Sequence, residues 1–246
     1  MISPQGPALS PLVEVAEGGA LGHVIHRLRT ASRLRRVALF RRYFELTAHT
    51  RILDLGGSSG EHVHALLSET PVQPANVCVA DVDHAAVRQA ARFGYVPVAL
   101  EQDRDLPFDD HSFDVVLCSS VLEHVTVPRR EIWWQLSGAR FARRARPRQA
   151  AFARELARVG RGYFVQVPYR WFPVETHSWL PLLSYTPRAM QCVAIALGNC
   201  VWIKKTEPDF YLPTAREMRG YFPDALLTCE RMCGLTKSLI AVKPIE

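Results

Sequence analysis

The residues best suited to chemistry fall in three places along a chain of 246 residues. The first is the run Ile52-Leu-Asp-Leu-Gly-Gly-Ser-Ser-Gly60, which ends an apolar stretch and opens a helical one. Small residues there let backbone approach a ligand, and a helix start offers unpaired N–H groups and the positive end of its dipole. Such a turn suits an anionic group, although a purely structural tight turn would use the same residues. Counting from Gly56 puts Ser58 and Glu61 where the second and third glycines of a dinucleotide fingerprint belong, which argues against a nicotinamide dinucleotide.

The second place is a pair of acidic segments. Asp81 ends the run Val77-Cys-Val-Ala-Asp81, where a carboxylate can accept both hydroxyl protons of a ribose. Asp83 competes for that role, or caps the helix that follows. In Gln102-Asp-Arg-Asp-Leu-Pro-Phe108, Asp103 with Arg104 beside it could receive an adenine amino group, or could be solvated loop polarity. The third place is Val167-Pro-Tyr-Arg-Trp-Phe-Pro-Val-Glu-Thr-His-Ser-Trp-Leu-Pro181. Here His177 and Glu175 could form an acid/base pair, and Tyr169, Trp171, Phe172 and Trp179 could wall an apolar or aromatic acceptor. The alternative is that these aromatics pack as a small core and His177 holds the loop by hydrogen bonds. The cysteines at 78, 118, 192, 200, 229 and 233 contain no CxxC pair, so reduced structural thiols are expected and a metal site is not.

The elements that must position these residues alternate in type. Strand-like runs at Arg51–Leu55, Asn76–Ala80 and Val96–Leu100 enclose helical stretches at Gly60–Ser68 and Ala85–Phe93, the pattern of βαβ units in a parallel sheet. Strand Phe113–Ser119, a long helical region Pro128–Val159 and strand Tyr163–Val167 follow. The proline-rich segment Pro168–Pro187 reads as a long loop, and loops of that length are usually functional. Helical spacing returns at Arg188–Ala196 and at Thr214–Phe222, where Thr214 and Glu217 form a capping box. Strands near Ala225–Met232 and Ser238–Val242 close the chain. The fold class is therefore α/β. Residues 1–20 read as a loose arm, and 21–246 as a single domain with a helical cap at 21–48 and a loop-and-helix insertion at 168–200. The cap could cover a sheet edge or lid a pocket.

Hydrophobic residues make up 48% and charged residues 22%, near the averages of globular proteins, and no apolar run approaches the roughly 18 residues of a spanning helix. A cytoplasmic protein with no membrane partner is expected. The net charge of +6 raises the question of nucleic acid, but only four of the 30 basic residues are lysines, as a GC-rich genome would produce. The local run Arg140, Arg143, Arg144, Arg146 and Arg148, with Arg129 and Arg130 before it, reads as a solvated helical face in preference to a phosphate-binding one.

The run Asp105-Leu-Pro-Phe-Asp-Asp-His-Ser-Phe-Asp-Val-Val-Leu-Cys-Ser-Ser-Val-Leu-Glu-His-Val125 resembles the LPF-x-D-x-S-FD-x-V-x-S-x-x-L-E-H-V stretch of class I, type 11-like S-adenosylmethionine-dependent methyltransferases. With the glycine turn and Asp81, the likeness covers about Arg51 to Val125. The loop after strand five resembles the PNRWFPIEPH-type loop of a bacterial subset of that superfamily. The resemblance implies a Rossmann-like three-layer sandwich whose seven-stranded, mostly parallel sheet has an antiparallel last strand, with N-terminal helices added. It implies S-adenosylmethionine as cofactor, its methionine part over Asp54, Gly56, Gly57, Ser58 and Gly60, its ribose on Asp81 beside Val82, and its adenine beside Asp103 and Arg104, with Ser119 at the end of strand four. Glu123 and His124 are implied to support the turn after strand four. The sequence departs from the family at Ser58, usually glycine, and at Gln102, where an acid often stands. The implied activity is methyl transfer to oxygen or nitrogen of a small molecule such as a secondary metabolite. An RNA or nucleoside methyltransferase and a non-catalytic cofactor-binding protein are the alternatives. The Asn/Asp-Pro-Pro-aromatic motif of base-amino methylases is replaced here by Cys118-Ser-Ser-Val121, which argues against a nucleic-acid partner.

Overall fold

A run such as Ile52–Leu55, buried along its whole length, is stable only where helices cover both faces of a sheet. The computed structural model, which describes residues 34–101, 105–201 and 205–245, builds that arrangement. Its strands are β1 (Ile52–Leu55), β2 (Val77–Asp81), β3 (Val96–Ala99), β4 (Phe113–Ser119), β5 (Gly160–Pro168), β6 (Leu226–Met232) and β7 (Leu235–Lys243). They lie in the order β3-β2-β1-β4-β5-β7-β6. Strands β1 to β5 pair in parallel, while β7 runs antiparallel to both β5 and β6. The seven-stranded sheet with one reversed final strand is the one the resemblance implies. Pro97 is tolerated because β3 is an edge strand, where a missing N–H breaks no central ladder.

Alternation along the strands sends side chains to two cores. Leu53, Leu55, Val116 and Cys118 face one side, where Leu156 of helix α4 (Gly138–Val159) and Met218 of α6 (Ala215–Tyr221) meet them. Ile52, Val79, Val115 and Leu117 face the other, covered by Val63 and Leu66 of α2 (Glu61–Leu67) and Val87 of α3 (His84–Val87). On that second side lies α1, whose described part spans 34–43. Phe40 stacks on Phe44 at 4.9 Å and meets Phe164 of β5 edge-on at 5.6 Å, so this part of the N-terminal cap covers a sheet face. The arm expected over 1–20 and the first part of the cap, to residue 33, lie outside the described residues.

Several elements differ in their bounds from the sequence reading, β7 and the helix Arg188–Val201 being longer than expected. The helical region expected over Pro128–Val159 is split into a 3-10 turn at Arg129–Trp134 and α4, because Ser137 takes a non-helical conformation and its hydroxyl accepts the Arg140 N–H, starting a new helix. The stretch Ala85–Phe93 tightens from α3 into a 3-10 helix at Arg88–Phe93. Strand β5 begins at Gly160, three residues before the expected Tyr163, since its first residues still pair with β4. The capping box of Thr214 and Glu217 is present as read. All six cysteines are free, with Cys78 and Cys118 buried. Among the described residues, no helix is long and apolar enough to cross a membrane.

Phe40 is fully buried between helix and sheet, so Phe40→Ala is expected to cost about 3–5 kcal/mol of unfolding free energy, read as a lower urea midpoint. A loss below about 1 kcal/mol would show that α1 does not seal this face.

Candidate functional site

Strand order reverses between β1 and β4: from β1 the sheet grows outward to β2 and β3, and the chain returns to build β4 on the other side. The connections diverge there, leaving a crevice beyond the carboxyl ends of the strands. A cleft of about 1010 Å³ opens at this point, lined by Gly56, Asp81, Leu100, Ser120 and Val121 from the ends of β1 to β4. Its opposite wall includes His124, Phe152, Arg154 and Asp209.

The floor is the glycine turn. Gly56 sits at φ +75, and a Cβ there would lie 2.3 Å from Val121 Cγ2, so only glycine keeps the backbone this close to the wall after β4. At Gly57 a Cβ would lie 2.2 Å from Asp54 Oδ2. Asp54 points beneath the turn because alternation along β1 sends it toward the second core. It is 2% exposed, and its Oδ2 has no hydrogen-bond partner. Burial, aided by the nearby charge of Asp81, pushes the Asp54 carboxyl up to about 7.

Asp81 is held from two sides: Oδ2 accepts the Ser58 N–H at 2.8 Å and Oδ1 the Asp83 N–H at 2.9 Å. Asp83 instead accepts from Ala85 and Ala86 N–H, both at 3.0 Å, and so caps α3. Asp83 is thus spent on a helix, whereas Asp81 lines the cleft. Ser58, where the family usually has glycine, takes φ 50. Of the cofactor residues foreseen, Gly56, Asp81 and Val82 line the cleft, while Asp54, Gly57, Ser58 and Gly60 form the turn behind it. Ser119 donates to Gln166 Oε1 at 2.6 Å and accepts from Arg36, and its neighbour Ser120 faces the cleft. Asp103 and Arg104 lie outside the described residues.

The aromatic residues foreseen as an acceptor wall are placed elsewhere, and the described lining of the cleft includes none of them. Tyr169 packs on the first core. Trp171 meets Tyr185 at 5.3 Å with the Arg170 guanidinium over its ring. The Trp179 N–H donates to the Glu175 carbonyl, closing the loop on itself. Phe172 is buried.

Glu175 and His177 are also absent from that lining, but they meet a third and fourth residue the sequence did not join to them. His177 Nδ1 lies 2.7 Å from Glu175 Oε1, and its Nε2 lies 3.3 Å from Oε1 of Glu123, which is fully buried. Its ring stacks on Phe210 and meets the His124 ring edge-on, each at 4.7 Å. Burial opposes charge on His177, but the hydrogen bonds it donates to Glu123 and Glu175 outweigh it and push its pKa up to about 9. Burial would likewise raise Glu175, but His177 and the Ser178 hydroxyl hold it down to about 2. With both ring nitrogens engaged by carboxylates and the ring outside the described lining of the cleft, this geometry does not present His177 to an acceptor as a base. His124, with Nδ1 3.0 Å from Asp209 Oδ2, is the imidazole that lines the cleft. In the arginine run, Arg144 pairs with Glu131 at 2.6 Å and Arg146 with Glu217 at 2.5 Å, and Arg129 outside it pairs with Glu207 at 2.7 Å.

Residues 52–147 match the model of a methyltransferase domain family. No curated protein matches the chain. Among solved structures it resembles the PH0226 protein of Pyrococcus horikoshii OT3, with 14% identity over 98% of this chain and 100% of that one and a TM-score of 0.52. It also resembles a chain of the complex between the Haloferax volcanii Trm112 methyltransferase activator and the methyltransferase named with it, with 14% identity over 96% and 94% of the two chains and a TM-score of 0.51. At such identities the likeness is one of fold.

The raised Asp54 carboxyl sets a pH dependence. Between its ordinary value of 3.8 and about 7 the folded chain keeps a proton that the unfolded chain has lost, so this group makes stability fall as pH rises through that window. The limiting slope is about 1.4 kcal/mol per pH unit. Asp54→Asn is therefore expected to gain stability relative to the parent chain between pH 4.5 and 7.5 in urea unfolding, and parallel curves would refute the assignment.

Proposed function

We propose that the chain, whose residues 52–147 match a methyltransferase domain and whose sheet has the Rossmann-like order, transfers a methyl group from S-adenosylmethionine to an oxygen or nitrogen of a small molecule. The observation that carries the reading is the glycine turn at the β1/β4 reversal, where Gly56 brings bare backbone to the cleft and Asp81 stands at its rim. The residues present fit the cofactor. A side chain at Gly56 would strike Val121, the buried Asp54 oxygen lacks a partner, and Asp81 is fixed by two backbone amides with its carboxylate at the cleft. The methionine part belongs over Gly56 to Gly60 and the ribose on Asp81, with Val82 beside the adenine.

When bound, the sulfonium supplies an electrophilic methyl carbon that is taken by in-line displacement. The chain's own contribution to such a reaction is chiefly placement of the acceptor lone pair, which can account for much of the acceleration. In place of the base role foreseen for His177 with Glu175, we assign these two a positioning role: they hold Glu123 and His124, and His124 stands in the cleft wall on the side from which an acceptor enters. The paired state of Arg144 and Arg146 favours a small molecule over RNA, because a nucleic-acid surface needs cations free for phosphate.

Calorimetry with S-adenosylhomocysteine is expected to give saturable binding that weakens at least about tenfold in Asp81→Ala, the loss of one charge-assisted hydrogen bond or more. Absence of binding by the folded parent chain would sink the cofactor assignment. The acceptor is sought by incubating the chain and S-adenosylmethionine with metabolite extracts and detecting a product heavier by one methyl group. Formation of no S-adenosylhomocysteine with any extract would favour a non-catalytic binding protein.

A further inference from the structure

The meeting of Glu123, His124 and His177 has a chemistry of its own. One nitrogen from each imidazole and one Glu123 oxygen all lie within 4.8 Å of one another. Each histidine is tethered through Nδ1 to a separate carboxylate, His177 to Glu175 at 2.7 Å and His124 to Asp209 at 3.0 Å. Metal-ligating histidines are oriented in this way, the carboxylate fixing the ring and leaving Nε2 for the ion.

The second observation is an orphan. Glu123 is fully buried, yet its Oε2 has no hydrogen-bond partner. A carboxylate oxygen in that state is costly unless a proton, a water or a cation satisfies it, and a cation would also meet the two imidazoles beside it. The spacing also fits: His177 Nε2 and Glu123 Oε1 are 3.3 Å apart, long for a charge-assisted hydrogen bond. Two ligands at bonds of about 2.0–2.1 Å in a tetrahedral shell are separated by about 3.3 Å.

We infer that Glu123, His124 and His177 hold a divalent transition-metal ion, with Asp209 and Glu175 as the carboxylates that orient the two imidazoles. Two imidazoles and one carboxylate suit zinc, manganese or iron, and no thiolate is present to favour a softer ion. His124 and Asp209 line the cleft, so an ion held there is reached from the space that Gly56 and Ser120 also border. Binding displaces the protons that otherwise lie between these groups. Three protein ligands leave a position for substrate, and an acceptor hydroxyl entering it loses its proton to water more readily. This use of the ion rests on the methyl-transfer reading and narrows the acceptor to a hydroxyl compound. Binding of the ion does not rest on it.

The test uses the full chain, treated with a chelator and dialysed, then titrated with Co²⁺, whose visible bands report nitrogen and oxygen ligands in four- or five-coordinate geometry. The expected result is saturation near one equivalent. Glu123 is fully buried and His177 is hydrogen-bonded to it, so their replacement risks unfolding, and the variants are made at the partly exposed His124 and Asp209. His124→Ala should lose about 100-fold or more in affinity and Asp209→Asn about 10–100-fold, with circular dichroism unchanged. Failure of the parent chain to bind Co²⁺, or equal affinity in His124→Ala, overturns the site. Calorimetry with S-adenosylhomocysteine on the same samples separates the two readings. Cofactor bound without Co²⁺ sinks the ion alone, and Co²⁺ bound without cofactor supports the ion and sinks its role in methyl transfer.

Discussion

The parallel pairing of β1 with β4 is the constraint on which the rest depends. Because β2 and β3 extend the sheet on one side of β1 and β5 on the other, the loops leaving β1 and β4 must part, and a crevice remains where they do. The glycine turn and half of the histidine cluster hang on that seam. Gly56 ends β1, Val121 follows β4, and the near-collision between them at Gly56 fixes how closely backbone approaches the cleft. Glu123 and His124 follow within a few residues, so the wall that supports the glycine turn also carries the histidine cluster.

Two buried carboxylates illustrate how the same side-chain chemistry is tuned in opposite directions. Asp54 has an unsatisfied oxygen and another acid nearby, and burial drives its pKa up to about 7. Glu175 is equally enclosed but receives an imidazole and a hydroxyl, and is held down to about 2. Burial alone therefore does not decide charge in this protein; the count of donors reaching each carboxylate does. Glu123 meets His177 through one oxygen, and its other oxygen has no hydrogen-bond partner. That asymmetry is what distinguishes the cluster from an ordinary buried ion pair.

Signals carried within a few residues were legible in advance. The strands follow from short apolar runs, and the capping box from Thr214 and Glu217. The glycine turn follows from small residues placed between strand and helix. These depend on local sterics and periodicity, which a linear sequence contains in full. The long helix expected over 128–159 is interrupted, because the first helical turn stops at Trp134 and Ser137 caps a new helix.

The sequence by itself determined the α/β alternation, the seven strands, the turn that approaches a ligand and the acid at the end of β2. Tertiary structure alone decided which acids are spent on caps, that the aromatic loop turns its tryptophans away from the cleft, and that His177 reaches Glu123. The physical reason is range. Glu123 and His177 are 54 positions apart, and His124 and Asp209 meet only because the segment before α6 packs against the turn after β4. No periodicity or spacing rule encodes such meetings; they follow from how the two faces of the sheet are covered.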